Sequence, residues 1–107
     1  MAALSIQERK RLRQIGHALN PVVMIGGQGL TENVLEETVR ALNDHELIKV
    51  KVGGEDREVR AALITEIADK TGAELVQTIG KIALLYKKAA KQNGKLSNLV
   101  RFAHLSN

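Results

Sequence analysis

Gly26-Gly27-Gln28-Gly29 stands between an apolar run, Val22 to Ile25, and a segment of helical spacing that begins near Glu32. Glycines at 26, 27 and 29 permit positive φ and close backbone approach, and Thr31 is a good N-cap. The helix that follows therefore starts with unpaired amides facing the loop, a natural place for an anion. A G-x-x-G loop of this kind can clamp a sugar-phosphate backbone with main-chain amides. The same glycines also serve a purely steric strand-to-helix turn, so the neighbouring residues have to decide between the two readings.

Other chemistry finds little support. A dinucleotide fingerprint would need a third glycine where Glu32 stands, and Gly80-Lys81 is followed by Ile82 rather than the Ser or Thr of a P-loop. His17, His45 and His104 are far apart and none has a second ligand at metal-site spacing, so no metal is expected. The serines lie outside any nucleophile elbow, and the acids fall on helix faces with no reason for shifted pKa values. No catalytic residue, cofactor or small-molecule substrate is expected, and the chain does not read as an enzyme. Base stacking on an open sheet needs exposed aromatics, and the chain has only Tyr86 and Phe102. A backbone-clamping mode remains.

Charge is distributed unevenly over the 107 residues. Residues 1–31 sum to +3, residues 32–74 to −5, and residues 75–107 to +6 with no acid among them. Two basic ends around an acidic middle suit a polyanionic partner, although basic termini can also be plain solvated surface. Cysteine is absent, which removes disulfides and thiolate chemistry and is compatible with a reducing compartment. No apolar stretch approaches the ~20 residues of a membrane span, and the start lacks the order of a signal peptide. A soluble, cytoplasmic, monomeric protein without membrane association is expected.

The elements that must position these residues follow from periodicity and punctuation. Ser5 and Glu8 form a capping box, and Leu12, Ile15 and Leu19 carry a helix from Ile6 to about Ala18, where Asn20-Pro21 stops it. Arg9 and Arg13 are an i, i+4 pair beside Lys10, a basic stripe away from the apolar one. Pro21–Ile25 is a short strand, and a helix over about 32–44 should bury Val34, Leu35, Thr38, Val39 and Leu42. In Leu47–Val52, Ile48, Val50 and Val52 alternate with Lys49 and Lys51, which marks a half-buried strand with one basic face. After Gly53-Gly54, Glu55 or Asp56 should cap a helix whose apolar face is Val59, Leu63, Ile64 and Ile67, ending at Thr71-Gly72. Glu74–Ile79 and Lys81–Tyr86 read as a hairpin turning at Gly80-Lys81. The α-β-α-β-α-β-β order of this single α/β domain implies a four-stranded mixed sheet with helices packed on it. Lys87 to Lys95 reads as a mobile polar stretch. Leu96, Leu99, Val100, Phe102 and Leu105 are too apolar for a disordered tail and suit a short element or a self-association segment, so an alternative function is a protein-interaction module.

The chain also resembles a known family. Pro21-Val22-Val23, Ile25-Gly26, Gly29-Leu30-Thr31, His45 through Lys51, Glu55-Asp56-Arg57-Glu58, Thr71-Gly72-Ala73 and Val76-Gln77, then Ile79-Gly80-Lys81 closing on Leu85-Tyr86, are similar to the YhbY-type CRM domain of chloroplast RNA splicing and ribosome maturation. The resemblance covers about residues 5–88; it departs at Gly27-Gln28, where a basic or small residue and asparagine are common, and at Lys87, where arginine is common. It implies a fold related to the C-terminal domain of translation initiation factor three, a CRM-like domain over 1–95 and a separate tail over 96–107. It further implies RNA binding, and for a stand-alone bacterial member a role in ribosome assembly on the RNA of large-subunit precursors. The resulting candidate RNA-binding residues are Gly26, Gly27, Gln28 and Gly29, with Arg9, Arg13, Lys49, Lys51 and Lys81 supplying the positive field.

Overall fold

A computed structural model describes residues 4–106, so the first three residues and Asn107 of the expected domain and tail lie outside it. Both halves of the capping box form at helix α1 (Ile6–Gly16): the Ser5 hydroxyl accepts from the Glu8 amide and the Ser5 amide donates to Glu8 Oε1, each at 3.1 Å. The helix ends at Gly16 rather than Ala18, because the Ala18 and Leu19 amides bond back only three residues, to the Ile15 and Gly16 carbonyls, and turn the chain toward Pro21.

Strand β1 (Pro21–Ile25), helix α2 (Glu32–His45), strand β2 (Leu47–Val52), helix α3 (Arg57–Thr71), strand β3 (Glu74–Ile79) and strand β4 (Ile82–Tyr86) follow in the expected order. They form the expected four-stranded mixed sheet, in the order β1-β2-β4-β3. β1 pairs parallel to β2, and β4 runs antiparallel between β2 and β3. Composition explains the placement. β4 carries consecutive buried residues, Ala83, Leu84 and Leu85, and needs cover on both faces and both edges. β1 begins with proline, which lacks a ladder donor and suits an edge.

Two apolar clusters sandwich the sheet. α2 and α3 cover one face, where Leu42, Ile64 and Ile67 pack with Val23, Ile25, Ile48, Val50, Val52 and Leu85. On the other face Leu12, Ile15 and Leu19 pack with Leu47, Val76, Leu84 and Leu99. Two residues expected in the core are instead exposed, Val39 at 41% and Val59 at 54%. The buried line of α2 runs through Thr38 and Leu42, and Val39 lies about 100° round the helix from it. Val59 sits in the first turn of α3, ahead of the buried residues Ile64, Ile67, Ala68 and Thr71.

The stretch expected to be mobile is tied down. Glu46, 1% exposed, accepts at its carbonyl from the Lys87 amide at 2.9 Å. Its carboxylate accepts from the Ala89 amide at 2.9 Å, Gln92 Nε2 at 2.6 Å and Ser97 Oγ at 2.7 Å. Ser97 then caps a short helix α4 (Asn98–Arg101), Asn98 Nδ2 donates to the Leu47 carbonyl at 2.7 Å, and a 3-10 turn (Ala103–Ser106) packs on α1. Both basic ends of the chain thus lie on the same side of the sheet.

Burial alone would raise the Glu46 pKa, but the hydrogen bonds from Ala89, Gln92 and Ser97, aided by the Lys88 charge, outweigh it and hold the carboxyl below its ordinary value. The stabilisation from Glu46 is therefore complete above the usual carboxylate pKa of about 4.3 and is lost as pH falls through the lower folded value. Glu46→Gln should be less stable than the parent by about 1–3 kcal/mol at pH 7, because an amide nitrogen must face donors. Urea unfolding should show that gap shrinking below the ordinary carboxylate pKa; a constant gap down to strong acid would contradict it.

Gly16 supplies a second check. A Cβ there would lie 2.7 Å from Leu84 Cδ2 and 3.1 Å from Cδ1, against a Leu84 only 3% exposed. Overpacking costs about 1–3 kcal/mol and the gain in helix propensity returns about 1, so Gly16→Ala should lower the melting temperature. Gly26→Ala, which would meet nothing within 4 Å, should not.

Candidate nucleic-acid interface

Gly26–Gly29 forms a turn. The Gly29 amide donates to the Gly26 carbonyl at 3.0 Å and the Thr31 amide to the Gly29 carbonyl at 3.1 Å. Gly26, Gly27 and Gln28 are exposed. Of the three loop glycines only Gly29 has positive φ, at 71°. Thr31 caps α2, its hydroxyl accepting from the Val34 amide at 3.2 Å. The amides of Gly27, Gln28, Glu32 and Asn33 donate to no described residue, and they sit where the α2 dipole is positive. Glu32 lies in the same first turn, so an anion is favoured on the Gly27-Gln28 side of the loop.

The topology gathers more at this end of the sheet. The Gly53 amide donates to the Ile25 carbonyl at 2.8 Å, joining the end of β1 to the Gly53-Gly54 turn. The Val52 amide donates to the Lys81 carbonyl at 2.7 Å, bringing the β3–β4 turn and exposed Lys81 alongside. From the first turns of α3, Arg57 and Arg60 line a depression of about 480 Å³ that Thr78 and Gly80 close. Arg60 Nη1 donates to the Gly54 carbonyl at 2.8 Å, while its Nε is shielded from solvent with no partner among the described residues. These two arginines were not among the expected site residues. Their signal was an i, i+3 pair in the first turn of the helix that Asp56 caps after Gly53-Gly54.

The expected cations divide. Lys51 is exposed and Lys49 half-buried on the sheet face that α1 leaves open, with Gln77, Ile79, Ile82 and Leu84 around Lys49. Met24 pairs with Lys51 across β1 and is 65% exposed. Arg13, half-buried, shares a flank of α1 with Gly16, which rests on Leu84 beside this face. Arg9 points elsewhere: its Nη1 donates to the Leu75 carbonyl at 3.1 Å and Nη2 lies 3.9 Å from Glu74, so it ties α1 to β3. Lys87 is likewise structural, its Nζ donating at 2.8 Å to the Thr71 carbonyl at the end of α3.

Comparison with known proteins is consistent with this geometry. The chain matches the CRS1 / YhbY (CRM) domain over residues 4–87. It belongs to that family. Among its relatives are a probable RNA-binding protein of Pseudomonas aeruginosa, 50% identical over 94% of this chain and 97% of the relative, and an RNA-binding protein of Haemophilus influenzae, 54% identical over 81% and 88%. The fold is similar to the solution structure of a hypothetical protein from Staphylococcus aureus, with a TM-score of 0.71 at 30% identity, covering 88% of this chain and 98% of that one. The CRM match ends at Lys87, one residue past β4, so the three donors to the Glu46 carboxylate lie beyond it.

Lys49→Glu combined with Lys51→Glu should weaken RNA binding by about tenfold or more, since each reversal turns an attraction for phosphate into a repulsion. Neither lysine lies under a helix, so the melting temperature should hold. Thermal unfolding measured beside filter binding separates the effects, and a large drop in stability with unchanged affinity would contradict this placement.

Proposed function

We propose that this protein binds RNA, with the exposed Gly26–Gly29 turn and the first amides of α2 engaging phosphates and Lys49, Lys51, Arg57, Arg60 and Lys81 supplying the surrounding field. The observation that carries this reading is the convergence of three glycine turns and several cations at one end of the sheet, in a chain whose CRM relatives bear RNA-binding names. Backbone amides and flexible cations recognise phosphate rather than sequence, so the interface suits a structured RNA held by shape. The resemblance to stand-alone bacterial CRM proteins supports a finer role: a cytoplasmic, monomeric ribosome-assembly factor acting on the RNA of large-subunit precursors. The rival reading, a protein-interaction module built on the apolar tail, keeps part of its support: Leu99 and Phe102 pack in the cluster beneath α1, whereas Leu96, Val100 and Leu105 stay exposed.

RNA affinity should fall with salt, each phosphate contact adding about 0.7–0.9 to the log–log slope. Gly29→Asp places a carboxylate at the helix N-terminus and should remove most of the affinity, whereas Gly29→Ala isolates the backbone cost, about 1 kcal/mol of stability at positive φ. A folded Gly29→Asp that binds ribosomal RNA like the parent would reduce the loop to a turn. Recovery of large-subunit precursor RNA after crosslinking in cells tests the assembly role, and recovery of only unrelated RNA would overturn it.

A further inference from the structure

At the opposite end of the sheet, where β1 and β2 begin, the C-terminal segment builds a cleft of about 210 Å³. Its floor is apolar, formed by Leu19, Val22 and Ile48. Its rim is polar and aromatic, formed by Asn20, His45, Arg101 and Phe102. We propose that this cleft is a subsite for one unpaired base of a single-stranded RNA segment, an inference that rests on the RNA-binding reading above.

Size comes first. Pockets for drug-sized ligands run to about 300–1,000 Å³, so this cleft takes a single ring system. Its chemistry matches a nucleobase. The Arg101 guanidinium carbon lies 5.3 Å from the Phe102 ring centroid, so the ring backs the guanidinium, whose plane is a surface on which an unpaired base stacks. Arg101 is further oriented by Asn98, whose Oδ1 lies 3.4 Å from its Nη1. His45 Nδ1 lies 2.8 Å from the Leu96 carbonyl, which can only accept, so Nδ1 is the donor of that bond and Nε2 is the ring nitrogen left for a base edge. The exposed Asn20 side chain bonds no described residue and offers a donor and an acceptor to a base edge. None of the cleft's lining side chains is acidic, and Lys95 precedes Leu96, whose carbonyl is bound to His45 at the rim, a favourable charge for an attached phosphate. Asn98, Arg101 and Phe102 all lie beyond the CRM match, which ends at residue 87.

Titrating the full-length protein with a short unstructured RNA, followed by methyl and aromatic NMR signals, should shift Leu19, Val22, Ile48 and Phe102. Asn20→Ala with Arg101→Gln changes two exposed side chains, so the fold should persist. The pair should lower affinity for the unstructured RNA about tenfold and leave duplex RNA affinity unchanged. Loop amide shifts without cleft shifts would overturn the subsite while leaving the RNA-binding reading standing, whereas no binding of any RNA would overturn both. Saturation by adenosine or uridine monophosphate with no response to the oligonucleotide would mark a free-nucleotide pocket and also overturn it. If the paired variant unfolds, the shifts in the parent protein alone decide the matter.

Discussion

The buried Glu46 carboxylate is the interaction on which the arrangement of this molecule depends. It stands at the junction of α2 and β2 with φ 63°, a conformation that costs a non-glycine residue about 1 kcal/mol or more. Burying a charge costs further free energy unless hydrogen bonds replace the lost water. Three donors from the C-terminal stretch make that replacement, and a fourth bond, from the Lys87 amide, goes to the Glu46 carbonyl. Neither partner is satisfied alone: without the C-terminal stretch Glu46 would be an unpaired buried charge, and without Glu46 that stretch has too little apolar content to order itself. The strain at one residue is thereby coupled to the position of α4, and α4 completes the second core cluster through Leu99.

The sheet topology then decides where function can sit. Because β4 inserts between β2 and β3, the strands β1, β2 and β3 all point the same way, and the turn from β3 to β4 falls at their common carboxyl end. Ligands of open α/β sheets gather at such ends. Here that end collects the Gly26–Gly29 turn, Gly53-Gly54 and Gly80-Lys81 with little side-chain bulk, leaving main-chain amides accessible and the cations on the margins. The departure at Gly27-Gln28 from the common family pattern changes side chains and leaves the exposed main-chain amides of the turn as they are.

Much of this was legible in the chain. Alternation in Leu47–Val52, the Ser5–Glu8 box and the glycine punctuation fix elements through local physics, and the structure follows them closely. Val39 and Val59 were misplaced because periodicity marks an apolar stripe but not how far the neighbouring layer extends over it. Arg9 read as a free cation since its partners, Glu74 and the Leu75 carbonyl, are more than sixty residues away in sequence. The C-terminal stretch read as mobile for the same reason. Its order comes from partners distant in sequence, the Glu46 carboxylate foremost with the Thr71 and Leu47 carbonyls, which leave no periodic trace, and so the cleft it helps to build was invisible as well.

The open sheet face joins the two ends. α1 covers Leu47 and Leu84 but leaves Lys49 half-buried and Lys51 exposed, with Met24 at 65% and Ile79 at 60% exposure beside them. Large apolar side chains exposed beside lysines make this face the least covered part of the sheet, of the kind that marks an interaction surface. A strand of this length spans about 17–20 Å, which separates the glycine turn from the C-terminal cleft by more than one nucleotide. Lys49 and Lys51 stand on that path at alternate positions, so the period of two that reveals β2 in the sequence also spaces its cations along one face. The glycine loop, the lysine pair and the cleft thus lie along one strand, held by its ladders to β1 and β4, by Ile48, Val50 and Val52 in one core cluster and by Leu47 beneath α1 in the other.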